Sequence, residues 1–237
     1  HCSVRRQRQM CIRDSFYLGT GCNSLNENIE LIKYASEFNF NTILLMPSAY
    51  YVGNSDEGVF EFYKKIILAC PKIKIVIYNF QKLSGYIFSI DAITKLVKSF
   101  PKNIIGVKDS SYNLYENLKI KNFLIFPGSE AKLLKGLEKG SSGVISAVTN
   151  STHFLARKVF DDFENKMPQT KNDQLIGVRE TFDGYNLISA LHSFHSIKDE
   201  NYKNILPPLT LLSEQKLKEL IEKLNKLKFI SEKNIAA

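Results

Sequence analysis

The chain has 237 residues, 44% of them hydrophobic and 24% charged, and a formal net charge of +8 at pH 7. This is the composition of an ordinary soluble globular protein, long enough to bury a large core. No apolar run approaches a membrane span, and the basic start lacks the apolar segment and cleavage site of a signal peptide.

The charge is distributed in a way that argues against nucleic acid as a partner. Arg5, Arg6, Arg8 and Arg13 against Asp14 place +3 of the +8 in residues 1–15. The rest is mostly lysine scattered over polar helix faces, without a basic stripe or interleaved aromatics. Cys2, Cys11, Cys22 and Cys70 form no C-x-x-C pair and no zinc-like spacing, which points to a reducing cytoplasm and no structural metal.

Residues 1–15 have neither strand nor helix logic. They read as a non-native segment, resembling translated adapter DNA, with a disordered basic arm as the alternative. Phe16 to Gly19 reads as a short strand, and Ser24-Leu25-Asn26-Glu27 is a capping box that opens a helix. Thr42 to Met46 is the next strand, Pro47 to Asp56 a polar and aromatic loop, and Glu57 to Ala69 a helix. Ile73 to Tyr78 is the third strand. Ser89 caps a helix bearing Ile90, Ile93, Leu96 and Val97.

The apolar run from Asn103 to Lys108 is the fourth strand. A short helical piece near Leu114–Leu118 follows, then a fifth strand at Phe123–Phe126 and a helix over Glu130–Glu138. Gly143 to Ala147 is expected as a sixth strand. After Thr152 the pattern is helical to the end, with Leu217, Leu220, Ile221, Leu224 and Leu227 as one stripe.

Strands alternating with helices imply an α/β fold with a parallel sheet and right-handed crossovers. Six strands do not close a barrel of this kind, which needs eight. Either the sheet is open and doubly wound, or two βα units are missing. The abrupt start near residue 15 favours the second. The expected organisation is a segment at 1–15, βα barrel units over 16–165 and a C-terminal helical extension over 166–237.

Most short motifs are uninformative. Gly19-Thr20-Gly21 lacks the third glycine and the later acidic residue of a dinucleotide fingerprint, so a tight βα turn is the better reading. His192 and His195 share a helix face, but no third ligand is placed near them, and packing or surface histidines are the simpler reading.

What stands out is chemistry at strand C-termini. Lys108 ends a strand buried on both faces, where desolvation would lower the amine's pKa and make it a nucleophile toward a carbonyl. Alone, it reads more readily as the start of a solvated loop. Tyr78 ends the neighbouring strand at the equivalent place, and a phenol beside an amine is the pair Schiff-base chemistry needs. Tyr50 and Tyr51, Gly128, Ser129 and Glu130, and Ser146 follow other strands, and in a barrel such positions meet at one mouth.

These pieces resemble the dihydrodipicolinate synthase / N-acetylneuraminate lyase family of pyruvate-dependent class I aldolases. The matching segments are Gly19–Ser24, Pro47–Tyr51 with Asp56-Glu57-Gly58, Ile77-Tyr78-Asn79 with Ser84-Gly85, and Ile104–Asp109. Pro127–Glu130, Gly143–Ser146 with Asn150, and Pro207-Pro208 complete the set. The resemblance implies a (β/α)₈ TIM barrel, here lacking its first two βα units, with extra C-terminal helices and usually in a homotetramer.

By the same resemblance Lys108 forms the imine with a 2-keto acid, and Tyr78 relays protons. Tyr51 reaches a neighbouring subunit's site, with Tyr50 beside it. Ile145 and Ser146 lie against the bound keto acid. Gly128, Ser129 and Glu130 meet the distal polar part of the substrate, and Ser84, in the loop after the tyrosine strand, is expected among the substrate-binding residues. The chemistry needs no cofactor beyond the covalent imine.

Two departures shape the expectation. The family's segment for the pyruvate carboxylate would lie upstream of Phe16, so the chain as given is expected to be inactive, with sheet edges exposed. Leu83 stands where synthases carry an arginine, which argues against aspartate semialdehyde as the aldehyde partner. The preferred substrate is therefore a 2-keto-3-deoxy sugar acid or a sialic-acid-like compound. The alternatives are 4-hydroxy-tetrahydrodipicolinate synthase or a non-catalytic ligand-binding relative.

Overall fold

Ile75, Val76 and Ile77 are three consecutive residues with no solvent exposure, so this strand is covered on both faces. Only a strand inside a layered α/β structure has that environment. A computed structural model describes residues 16–230; the expectation for residues 1–15 lies outside that range. The strands are β1 (Leu18–Gly19), β2 (Thr42–Leu45), β3 (Lys74–Asn79), β4 (Ile104–Asp109) and β5 (Leu124–Pro127). They form one sheet in the order β1-β2-β3-β4-β5, parallel from β1 through β4.

The chain divides between Phe126 and Pro127 into two compact units. In the first, α1 (Leu25–Glu37), α2 (Asp56–Ala69), the short α3 (Gln81–Ser84) and α4 (Ile90–Ser99) accompany the strands. The main helix starts follow their caps. Ser24 accepts the Glu27 N–H, Ser55 that of Gly58 and Ser89 that of Ala92. Ile32, Ile43, Leu45, Ile66, Ile75, Ile77 and Ile93 form a core with no exposure. Tyr63 is buried among them, its hydroxyl donating to the Leu45 carbonyl at 2.8 Å.

In the second unit a 3₁₀ turn (Glu130–Lys132) leads into α5 (Leu133–Glu138), α6 (Thr149–Glu164), α7 (Asn172–Asp183) and α8 (Leu187–His195). After a 3₁₀ turn at Glu200–Lys203, α9 (Glu214–Lys226) packs Leu220 and Leu224 against Leu175, Val178, Phe182 and Phe194. Among the described residues no helix is long and apolar enough to cross a membrane.

Two expected elements are corrected. Gly143 to Ala147 is not a strand of the sheet. The Ile145 N–H donates to the Pro127 carbonyl at 3.2 Å. Proline has no N–H to donate in its turn, so a ladder cannot continue there. Leu114 to Leu118 is a single turn, closed by Leu118 N–H to Leu114 C=O at 2.8 Å, rather than a helix. The N–H groups of Leu114 and Tyr115, which open that turn, donate to the Asp109 carboxylate.

The β3–β4 pairing contains one irregularity. Ile75 pairs with Ile104 but Val76 with Gly106, so Ile105 is an extra residue on β4. At Gly106 an added Cβ would stand 2.6 Å from the Leu124 carbonyl oxygen, so β4 and β5 approach each other too closely for any side chain. Gly106→Ala is therefore expected to destabilise the protein by about 1–3 kcal/mol, since backbone has to move to relieve the overlap. A urea melt monitored by circular dichroism checks this, and an unchanged midpoint would contradict it.

Candidate active site

The extra residue on β4 sets which side chains meet. Beyond it, Tyr78 pairs with Lys108 and Asn79 with Asp109, at the C-terminal tips of adjacent parallel strands. Tyr78 and Lys108 are both half-buried. The Lys108 Nζ lies 4.0 Å from the centroid of the Tyr78 ring. The sequence reading set amine and phenol side by side; the structure puts the amine over the aromatic face. An ammonium is attracted there by the ring quadrupole.

The Tyr78 ring also stacks on Phe80, with centroids 5.8 Å apart and planes inclined by 25°. Burial pushes the phenol's pKa above its ordinary value near 10, and a hydrogen bond with the Ser110 side chain offsets part of that rise. Tyr78 is therefore protonated at neutral pH and enters any reaction as a proton donor.

Other residues of the first unit occupy different surroundings. Tyr50 and Tyr51 are 78% and 63% exposed and meet edge to face at 5.5 Å. Tyr51, Ser48, Asn54 and Phe62 are among the walls of a shallow cleft of about 220 Å³. Ser84 is fully buried, and its hydroxyl donates to the carbonyls of Phe80 and Tyr86. In this structure it closes the loop after β3. Gly85, at φ +68°, completes that turn.

In the second unit Glu130 has no exposure, and three side chains surround its carboxylate. The Ser146 hydroxyl donates to Oε2 at 2.6 Å, the Thr152 hydroxyl to Oε1 at 3.1 Å, and Arg179 Nη1 to Oε2 at 3.1 Å. Arg179 also donates to Ser146 Oγ at 2.8 Å and binds Asp183 through Nε and Nη2 at 3.0 and 2.8 Å. Burial by itself lowers the Arg179 pKa, but the contacts with Asp183 and Glu130 outweigh it, so the net shift is upward. The guanidinium is permanently charged.

Ser129 is buried next to Glu130, Gly128 is half-buried, and Ile145 is held by its backbone bond to Pro127. Sequence reasoning found Glu130 and Ser146 but missed Arg179. Its one visible signal was the i,i+4 spacing to Asp183.

The two helix histidines sit in a packed cluster. His195 stacks on the Tyr202 ring at 4.9 Å and lies 2.9 Å from the Ser151 hydroxyl, while His192 Nδ1 meets the Tyr202 carbonyl. Among the described residues no three His, Cys, Asp or Glu side chains are grouped to hold a metal ion.

With this geometry established, comparison with known proteins gives a consistent result. The sequence model of the Dihydrodipicolinate synthetase family matches residues 13–227. The chain is 28% identical over 201 residues to a 2-dehydro-3-deoxy-D-gluconate/2-dehydro-3-deoxy-phosphogluconate aldolase from Picrophilus torridus, covering 81% of this chain and 73% of that protein. Its matches to several other curated relatives span about half of their length.

The fold resembles that of the 4-hydroxy-tetrahydrodipicolinate synthase from Methylacidiphilum fumariolicum SolV. The TM-score is 0.79 at 22% identity, over 93% of this chain and 74% of that one. It also resembles a catalytic lysine mutant of Ruminococcus gnavus sialic acid aldolase. Here the TM-score is 0.78 at 19% identity, over 90% of this chain and 73% of that one.

Two measurements test the second unit's polar interior. Arg179→Ala leaves the Glu130 carboxylate buried without its cation and is expected to cost about 3–5 kcal/mol; a denaturation midpoint close to wild type would contradict this. Burial, with His192 adding to it, depresses the His195 pKa below its ordinary 6.5. The stability that follows is present above about pH 6.5 and is lost as pH falls through the folded-state value, because the unfolded chain takes up the proton first. His195→Phe should flatten the decline in urea midpoint between about pH 7.5 and 5; an identical slope in both proteins would rule out His195 as its source.

Proposed function

Because the chain belongs to the dihydrodipicolinate synthetase family, we propose that it is a Schiff-base aldolase. It joins or cleaves the bond between pyruvate and an aldehyde, with a 2-keto-3-deoxy sugar acid or sialic-acid-like compound as the substrate. The observation that supports this reading is the placement of Lys108 Nζ 4.0 Å from the Tyr78 ring centre on register-paired strand tips.

The reaction follows from the two groups. The Lys108 amine, having lost its proton, attacks the ketone carbon, and the carbinolamine loses water with Tyr78 as proton donor. In the protonated imine the bond two carbons along can break. Its electron pair moves into the iminium to leave an enamine, the substrate's hydroxyl gives up its proton, and an aldehyde departs. Protonation of the enamine and attack by water release pyruvate and regenerate the amine. General acid catalysis by the phenol contributes roughly a hundred- to ten-thousand-fold. No metal or organic cofactor is required.

The same proposal places the described sheet as an arc of an eight-stranded βα barrel, with two βα units preceding it and the Gly143–Ala147 segment, held to Pro127 through the Ile145 N–H, in the place of the remaining strand. A strand order of β1 to β5 without reversal supports a barrel arc over a doubly wound sheet, whose order reverses at a switch point. Full turnover would then need the carboxylate-binding segment placed upstream of Phe16, while imine formation needs only Lys108 and a proton donor.

Ile145, Ser146 and Gly128 to Glu130 keep the substrate roles implied by the resemblance. The exposure of Tyr51 suits contact with a second subunit of a cytoplasmic homotetramer. The lysine-pathway synthase reaction is the second reading; Leu83, half-exposed where a carboxylate-clamping arginine would stand, counts against it.

Incubation with pyruvate and borohydride, followed by peptide mapping, tests the proposal. The expected result is a reduced pyruvyl adduct on Lys108, absent in Lys108→Ala. Tyr78→Phe should still form it, but at least about a hundredfold more slowly. An adduct spread over many lysines, or none, overturns the reading.

A further inference from the structure

We propose that Asn79 and Asp109 form a clamp that positions Lys108 against Tyr78, so that these two residues, outside the reacting pair, set the rate at which the imine forms. This inference rests on the aldolase reading above.

Asp109 follows Lys108 directly, and Asn79 follows Tyr78. Both are fully buried, although each sits at a strand tip where the chain turns toward loops. A carboxylate with no exposure is costly unless its lone pairs are filled. Here four donors fill them. Asp109 Oδ1 accepts from Asn79 Nδ2 at 2.9 Å and from the Tyr112 N–H at 2.9 Å. Oδ2 accepts from the N–H groups of Leu114 and Tyr115 at 2.8 and 2.9 Å. Charge-assisted bonds of this kind are roughly twice as strong as neutral ones.

Asn79 is held just as fully. Its amide also donates to Asn113 Oδ1 at 2.8 Å, and its own Oδ1 accepts the Phe88 N–H at 3.1 Å. Asn113 in turn donates to the Phe88 carbonyl at 2.8 Å. The Ser110 N–H closes the arrangement on the Asn79 carbonyl at 2.9 Å.

The geometry assigns this network more than a stabilising role. The β3–β4 register ends at Asn79 and Asp109, and past the single Ser110 N–H bond to the Asn79 carbonyl the side chains of these two residues do most to stop the tips from sliding or splaying. The reacting pair lies one residue inside that end. A displacement of 1 Å there is enough to cost on the order of a hundredfold in rate. Neither residue is in place to exchange a proton with substrate, since an amide does not titrate and the Asp109 carboxylate already accepts four hydrogen bonds.

The experiment is borohydride trapping at saturating pyruvate on the full chain and on Asn79→Ala, recording both the rate constant and the final fraction trapped. The clamp predicts a rate constant lower by about tenfold or more, with the trapped fraction and the apparent pyruvate affinity close to wild type. A purely structural role would lower the trapped fraction and leave the rate constant of the remaining molecules unchanged; that result overturns the proposal.

Asn113→Ala, which removes one partner from an exposed position, covers the case in which Asn79→Ala does not fold. It should slow trapping by a few-fold, and a wild-type rate would refute the clamp. Asn79→Ser keeps a hydroxyl donor toward Asp109 and should recover part of the rate. If wild type itself gives no Lys108 adduct, the aldolase reading fails and the clamp with it. If wild type traps and the variants trap equally fast, the clamp alone fails.

Discussion

The structure depends on one register. Had β3 and β4 continued as they begin, with Ile75 opposite Ile104, Tyr78 would face Val107 and Lys108 would face Asn79. The extra residue Ile105 shifts the pairing by one and brings Tyr78 opposite Lys108. Because side chains alternate across a strand, a one-residue slip sends every subsequent side chain to the other face. The amine would then point into a helix layer and the phenol would stand alone.

Several local features agree with that register. Gly106 lets β4 approach the Leu124 carbonyl more closely than any other residue permits, at the point where pairing resumes. Past Lys108, Asp109 draws the following turn back onto itself by collecting backbone N–H groups from Tyr112, Leu114 and Tyr115. The helix expected at Leu114–Leu118 is reduced to a single turn, and the buried Asp109 carboxylate caps the N–H groups of Leu114 and Tyr115 that open it.

The second unit solves a comparable problem with charge. Glu130 has no exposure, and Arg179 neutralises it while also binding Asp183 on its own helix. A guanidinium suits this position because its planar fork reaches two carboxylates and a serine hydroxyl together. The Ser146 hydroxyl is part of that network, so contact between it and a substrate would have to compete with Glu130 and Arg179.

Much of the protein was legible from residue order. Runs such as Ile73–Ile77 declare strands, serines at 24 and 89 sit where helices begin, and a lysine and a tyrosine end neighbouring strands. These are local properties, since periodicity and capping act within a few residues of chain. Tertiary structure decided the rest: the β3–β4 shift, the loss of the sixth strand beside Pro127, the amine resting on the ring face, and the partnership of Glu130 with an arginine 49 positions away. Each depends on which distant groups are brought within bonding distance and deprived of water, and no window of sequence encodes that.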